Sequence, residues 1–384
     1  MKVEEIKSLF LTHKEHRLKH RYITNNHIAP LLNDLKEHIV IETIGTSVLK
    51  DDIEALKIGS GDKKILMWSQ MHGNESTTTK ALFDLINTLI DTSHLSYILE
   101  ACTLYIIPIL NPDGAKAYTR VNANSVDLNR DAQLLSQPES LVLKQAFEAF
   151  KPHFCYNLHG QRTIFSAGKT NKPATVSFLA PAQDKECTVT ANRKVAMEVI
   201  SVMNSTLQQV IPNQVGVYDD AFNLNCVGDT FQSKNVPTIL FEAGHFHNDY
   251  GREYTRECIY ISLLSSLDYI ARHNVNGSAY KPYFEIPENE KCFLDIVIRN
   301  VNLGTDVAGN IGDVGVLFQE CLIDGKIEFI PKIESIGNLD GLFGHKELNA
   351  NRLQVFGTDG KPLKIEDENV FVIMNNEKIS LLLE

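Results

Sequence analysis

The sequence predicts an α/β fold: a mixed, mostly parallel twisted sheet with helices on both faces, three layers in all, followed by a small C-terminal all-β domain. Three observations carry this. From about residue 40 to 272, strand-like and helix-like stretches alternate. Near residue 280 the pattern changes to short runs rich in β-branched and aromatic residues. Between such runs lie Asp324-Gly325 and Asp359-Gly360, which are strong hairpin-turn signals.

The elements follow in order. Residues 1–39 are expected to form an N-terminal helical segment, with His13, His16 and His20 on a solvated face. IVIETIG (39–45) and IEALKIG (53–59) read as two strands with a turn between them, and ILMWS (65–69) as a buried strand. STTTKALFDLINTLI (76–90) reads as a helix. Its residues Ala81, Leu82, Leu85, Ile86, Leu89 and Ile90 recur at spacings of three and four. LYIIPIL (104–110) is a strand, SLVLKQAFEAF (140–150) a helix, and FCYNL (154–158) and SFLAP (177–181) are strands. A helical pattern covers about 188–210, TILFE (238–242) is a strand, and 252–270 is a helix. This bounds a main domain at 40–275. The polar stretch NVNGSAYKP joins it to a β domain at 280–384.

Composition limits the function classes. A formal net charge of −11 argues against a nucleic-acid or anionic-membrane partner. No apolar run is long enough to span a bilayer, and the charged N-terminus lacks the apolar block of a secretory signal. Seven cysteines, odd in number and without tight pairs, do not read as a disulfide framework. The expectation is a reducing, cytoplasmic compartment.

The chemistry-bearing residues cluster at strand ends. In MHGNES (71–76), His72 and Glu75 lie between the buried strand ILMWS and a helix. That is the carboxyl edge of a strand, where open α/β sheets keep their ligand sites. An HxxE is weak by itself, because a carboxylate also suits the first turn of a helix. Zinc hydrolases, however, hold the metal with three protein ligands and leave a fourth position open. His159 in FCYNLHG ends a second buried strand and can supply the third. Glu242 in TILFEAG ends another, and a glutamate behind an apolar run is costly to bury without a role. Between them lies NPDGAKAYTRVNANSVDLNRD (111–131), polar, with two arginines, and too long for a simple connection.

HGNE, NPDG, the VDLNR block, LHG and FEAG, in this order and spacing, resemble the zinc carboxypeptidases of the M14 (funnelin) family over about residues 40–272. The NPDG/DLNR block is the specific part, and the C-terminal β segment is outside the likeness. The resemblance implies an α/β/α fold around a mixed eight-stranded sheet, with one catalytic zinc per chain. It implies a hydrolase that removes a C-terminal residue from a peptide. His72, Glu75 and His159 would hold the zinc. Asp127 would orient the His72 ring, and Glu242 would act as general base towards the water that zinc activates. Arg120 would stabilise the developing oxyanion. Asn129 and Arg130 would grip the substrate's free carboxylate, which a guanidinium fork matches with two parallel hydrogen bonds. Tyr218 is the candidate for the family's substrate-capping tyrosine. Residues 223–231 would line the specificity pocket, with Gly228 aligned at its key position and Asp229 next to it.

Other readings stay open. The succinylglutamate desuccinylase/aspartoacylase relatives share HGNE and a DLNR block, append a C-terminal β domain, and cleave acyl-amino acids instead of peptides. Trimming of cell-wall peptides is a further use of such a site. A binding protein that has lost catalysis is the non-enzymatic alternative, although all the expected residues are present. His245 and His247 form an HxH that reads better as polar lining of a cleft rim than as a second metal site. A homo-oligomer is left open.

Overall fold

The computed structural model describes residues 1–304 and 310–383. Residues 305–309 and 384, inside the expected C-terminal domain, lie outside the described residues. The chain divides into two compact units, Met1–Gln161 with Ala174–Asn289, and Arg162–Pro173 with Glu290–Glu384.

In the first unit, α1 (Val3–His13) and α2 (Asn25–Leu35) precede β1 (Val40–Thr46), β2 (Asp52–Ile58) and β3 (Lys63–Ser69). Next come α3 (Thr77–Asp91), α4 (Ser96–Ala101), β4 (Cys102–Ile107), α5 (Pro112–Ala117), α6 (Pro138–Phe150) and β5 (Phe154–Gly160). The chain contributes β6 (Ser166–Ala167) to the second unit. It then returns with β7 (Val176–Leu179), α7 (Ala191–Leu207), β8 (Val215–Val217), α8 (Val227–Ser233), β9 (Thr238–Ala243) and α9 (Glu253–Arg272).

Eight strands form one mixed sheet in the order β1-β2-β4-β3-β5-β9-β7-β8. The central pairings β4/β3, β3/β5 and β5/β9 are parallel, as is β7/β8, whereas β1/β2, β2/β4 and β9/β7 are antiparallel. Along β3, Ile65 and Met67 enter one apolar cluster while Leu66 and Trp68 enter another. Both faces of the strand are covered, which is why ILMW is a continuous apolar run. From β3 the chain winds through α3 to β4 on one side, and later reaches β5 on the other. Such a reversal of winding opens a crevice at the carboxyl ends of the strands.

Two short elements carry no periodicity of their own. The three-residue β8 and the seven-residue α8 were not legible in the sequence. The histidine-rich start also differs from expectation. The first helix stops at His13, and His16 and His20 follow in an irregular stretch, with His20 at φ 59°. A tertiary contact outweighs helix continuation there. The buried Arg256 guanidinium donates to the carbonyls of Glu15 (2.9 Å) and Leu18 (2.7 Å), while its other donors form a fork on Asp84 at 2.6 Å.

Beside this fork, Lys80 is fully buried and pairs with Glu253 at 2.6 Å, and Lys14 (2.8 Å) and Arg256 (3.2 Å) face the same carboxylate. Burial pushes the Glu253 carboxyl up, but these cations outweigh it and hold the group at about 2, below its ordinary 4.5. A carboxylate depressed in the fold adds stability above its unfolded pKa and loses it as pH falls towards the folded value. Denaturant titrations should therefore find Glu253→Gln less stable by roughly 1 kcal/mol or more near pH 6, a figure already discounted for partial exposure. The gap from wild type should narrow between 4.5 and about 2.

In the second unit, after β10 (Asn289–Glu290), β11 (Phe293–Asn302) pairs antiparallel with β12 (Ile311–Ile323) and parallel with β14 (Phe343–Asn349). The hairpin from β12 to β13 (Lys326–Gly337) turns at Asp324 and Gly325, with φ of 48° and 75°. Both turn residues are left-handed, as the sequence signal requires. The strands β15 (Val355–Phe356), β16 (Phe371–Met374) and β17 (Glu377–Ser380) add a small antiparallel sheet. Ile164, from the segment 162–173, packs with Leu294, Val297, Leu317 and Leu339 of this unit. Among the described residues, no helix is long and apolar enough to cross a membrane.

Candidate active site and metal centre

The carboxyl edge of β3, β5 and β9 assembles the expected residues. Past β3 the chain turns sharply, with Gln70 at φ 44°. The Gln70 side chain donates to the carbonyls of Ile23 (3.0 Å) and Gly73 (2.8 Å) and accepts from Thr79 (2.8 Å), which fixes the turn from within. Gly73 is required by a close approach: a Cβ there would lie 1.9 Å from the backbone carbon of Gly114. The HGNE turn thus rests directly on the NPDG turn. There Asn111 accepts from Gly114 N (2.9 Å) and donates to Met71 O (3.1 Å), and Asp113 accepts from Ser47 (2.7 Å) and Leu49 N (3.0 Å). The NPDG motif is therefore the buttress of the first two candidate ligands.

His72 and His159 are both buried, and their Nδ1 atoms are 3.0 Å apart. The Glu75 carboxylate bridges them, with one oxygen 2.9 Å from His72 Nδ1 and the other 2.9 Å from His159 Nδ1. Gly160 N donates to the second oxygen at 3.0 Å. Ligand atoms of these three residues all lie within 4.8 Å of one another, and they are the group that could hold a metal among the described residues. Donors bound to one tetrahedral zinc sit roughly 3.3 Å from each other, so both the donor types and their spacing suit that ion.

Asp127 completes the orientation of His72. Its Oδ1 lies 2.9 Å from His72 Nε2 and accepts from Asn129 N at 2.9 Å, so the residue caps a local turn and holds the ring at once. With Nε2 turned to Asp127, Nδ1 faces Glu75 and His159. The Arg120 Nε donates to the other Asp127 oxygen at 3.1 Å, and its guanidinium lies 3.5 Å from Glu75. Burial lowers the His72 imidazole, but the Glu75 and Asp127 carboxylates outweigh it and raise it to about 9. Burial raises the Glu75 carboxyl, yet His72 and His159 bring it well below the ordinary carboxylate range. For His159 burial dominates and the imidazole is pushed down.

Glu242 pairs with His159 across β5 and β9. Its Oε2 is buried without a hydrogen-bond partner, as is His159 Nε2. Burial, and then the negative charge of Glu75, push the Glu242 carboxyl well above its usual value. Asn129 uses its side-chain oxygen to accept from Val227 N at 3.1 Å, which leaves its amide NH₂ as the end that can meet a ligand. Arg130 is exposed beside it and donates to Asn129 O at 2.7 Å. Tyr218, just past β8, lies near the same cluster. Burial, then the charges of Glu242 and Glu75, raise its hydroxyl's pKa.

Gly228 and Asp229 sit at the start of α8. A Cβ on Gly228 would stand 3.0 Å from Pro181 and 4.0 Å from the Asn157 amide. His245 is not on a rim: it is buried, with its ring 4.6 Å from that of Tyr250, and only His247 is exposed. Sequence reasoning missed Gln161, Ser177 and Asn289, which form a hydrogen-bonded group beside Glu242; no motif or periodicity marks them.

A buried imidazole–carboxylate–imidazole cluster, at the winding reversal of a mixed eight-stranded sheet with a buried glutamate alongside, makes a candidate metal site. The sequence profile of the zinc carboxypeptidase family, peptidase M14, matches residues 25–214. That span holds the three candidate ligands and the Arg120–Arg130 block, and ends before Tyr218 and Glu242. Carboxypeptidase 2 of Trichophyton rubrum is 29% identical over 114 residues, 29% of this chain and 20% of that protein. Carboxypeptidase SOL1 of Arabidopsis thaliana is 42% identical over 65 residues, 16% of this chain and 13% of that protein. The chain thus matches about a fifth or less of these curated relatives' own length. Among solved structures, a metallo-carboxypeptidase from Burkholderia cenocepacia superposes with a TM-score of 0.51 at 15% identity, covering 64% of this chain and 70% of that one. Bovine thrombin-activatable fibrinolysis inhibitor gives 0.50 at 12%, covering 65% and 98%. At such identities the likeness is one of fold. Over residues 25–214 the chain thus matches the M14 zinc carboxypeptidase family.

Proposed function

We propose that this chain is a zinc-dependent hydrolase that cleaves the amide bond of a substrate's C-terminal residue. The observation that carries the reading is the convergence of His72 Nδ1, His159 Nδ1 and the Glu75 carboxylate, with Glu242 paired beside His159. Zinc held by those three residues supplies Lewis-acid chemistry, acidifying water and drawing charge from a carbonyl oxygen. The protein's own groups do the rest. Glu242 takes a proton from the attacking water as its oxygen adds to the scissile carbonyl carbon. The same carboxyl returns the proton to the leaving amine as the C–N bond breaks. Arg120, held by Asp127, offers its guanidinium to the charge that develops on the carbonyl oxygen. The Asn129 amide and the Arg130 fork bind the terminal carboxylate.

The direct test is hydrolysis of a blocked dipeptide by zinc-loaded protein; no cleavage of any such substrate would reject the reading. Arg130→Lys should cost more with free-carboxylate substrates, about tenfold in kcat/KM, than with amidated ones, because an ammonium cannot make the paired hydrogen bonds. Equal losses would remove the assigned grip. The β-rich C-terminal stretch 290–384, which the family profile does not cover, favours an N-acyl-amino-acid deacylase as the second reading. Cleavage of N-acyl amino acids alone, with blocked dipeptides untouched, would establish it in place of the first.

A further inference from the structure

The face of the sheet that holds His159 and Glu242 carries a second row of side chains behind them. Side chains alternate along a strand, so Asn157 shares its face of β5 with His159, two residues on. Their register partners on β9 are Leu240 and Glu242, both half-buried between the buried Ile239, Phe241 and Ala243. Leu240 in turn pairs with Leu179, the half-buried end of β7. One row is therefore Ser177, Glu242 and His159, and the row behind it is Leu179, Leu240 and Asn157. Asn157 is the polar member of that second row. It is 2% exposed, and among the described residues its Oδ1 has no hydrogen-bond partner. A buried amide oxygen without a donor is destabilising, so the position is one that a ligand can complete.

The amide faces a space that a glycine leaves open. A Cβ on Gly228 would have Pro181 (3.0 Å) and the Asn157 amide nitrogen (4.0 Å) as its nearest neighbours. The residue before it, Val227, donates its N–H to Asn129 Oδ1 at 3.1 Å, which ties this space to the amide assigned to the terminal carboxylate. Asp229, next in the helix, is engaged by its own loop, its Oδ1 accepting from Asn223 N at 3.3 Å. We propose that Asn157 selects the substrate's C-terminal residue: seated between His159 and Gly228, its amide hydrogen-bonds a neutral polar side chain, and the substrate class is peptides that end in glutamine or asparagine. This rests on the hydrolase reading and narrows it. A carboxamide matches because it returns a donor to Oδ1 and an acceptor to Nδ2 in one plane. An aliphatic side chain of the same size leaves both unpaired, and a charged one finds no counter-ion in a neutral amide.

The test gives the full zinc-loaded chain a panel of blocked dipeptides that differ only in the terminal residue. Glutamine should exceed methionine, and asparagine leucine, by at least about tenfold in kcat/KM, the value of one hydrogen bond to a buried group. Asn157→Leu should reverse the order within each pair. It should also be as stable as wild type or more so in denaturant titration, since an unpaired buried group is removed. Lower stability with all substrates slowed alike would mean a structural amide and would overturn the proposal. Gly228→Ala keeps Asn157 and fills the space beside it, so it should cost glutamine-terminated substrates more than glycine-terminated ones, and it carries the test if Asn157→Leu does not fold. A second readout needs no turnover: free L-glutamine should raise the wild-type Tm more than L-methionine does, with the order reversed in Asn157→Leu. An inactive wild type with that pattern would reject the hydrolase reading and keep Asn157 as the selecting group. Equal kcat/KM within each pair, or equal Tm shifts, would overturn the proposal while leaving the hydrolase reading intact. A preference for terminal lysine or arginine would overturn it too and would move the selection to Asp229.

Discussion

Glu242→Gln keeps one zinc per chain and lowers kcat/KM about 10²- to 10⁴-fold, the range that a positioned general base contributes. The substitution isolates proton transfer for three structural reasons. Glu242 is not among the three candidate ligands, so the metal's donors are untouched. Its Oε2 has no hydrogen-bond partner, so no internal contact is broken at that atom. The amide is also the same size as the carboxyl and uncharged, which makes its burial cheaper. Without a cation, burial and Glu75 hold the Glu242 carboxyl well above its usual range. A dication close by favours the ionised form that can accept a proton. Elemental analysis of zinc beside steady-state kinetics on a blocked dipeptide reads both halves of the prediction. Turnover near the wild-type rate would show that another group moves the proton. Loss of zinc would show that Glu242 serves the metal.

The central sheet was legible because burial on both faces writes long apolar runs, as in ILMWS and TILFE, and because α3 and α9 carry unbroken stretches. The region near His16 and His20 misled for the opposite reason. Its conformation is set by Arg256 reaching across from α9, a contact between residues more than two hundred positions apart. Helix α8 buries Val227 and Phe231 yet spans only two turns, too short for a period to register. At the site, His72, Glu75, His159 and Glu242 could be named because each ends a buried strand or begins the turn after one. NPDG was recognised as a motif, but its work, bracing Gly73 against Gly114, is a backbone contact that no spacing announces. The hydrogen-bonded group beside Glu242 was hidden for a related reason. Gln161, Ser177 and Asn289 come from three separate stretches and meet only after β7, β8 and β9 have paired.

Zinc affinity should weaken about tenfold for each pH unit lost below about 9, because one proton competes with the ion for His72. The sign follows from the metal-free site. The Glu75 and Asp127 carboxylates outweigh burial and raise His72 to about 9, so below that pH the ring carries two protons, one on each nitrogen. The Nδ1 that faces Glu75 and His159 is the one that must be bare to donate to a metal. His159 is pushed down by burial and offers no comparable competition near neutrality. Competition with a chelator of known affinity at several pH values gives the slope, and calorimetry in buffers of different ionisation enthalpy should count about one proton released. Asp127→Asn separates the two duties of that residue. Removing its charge should lower zinc affinity about 10- to 100-fold, as loss of a ligand-orienting carboxylate does elsewhere. It should also flatten the pH slope near pH 8, since His72 then holds its extra proton less tightly. Affinity that is flat across this range in the wild type would mean that His72 is already neutral without the metal. The carboxylates on either side of it would then be preparing something other than a cation site.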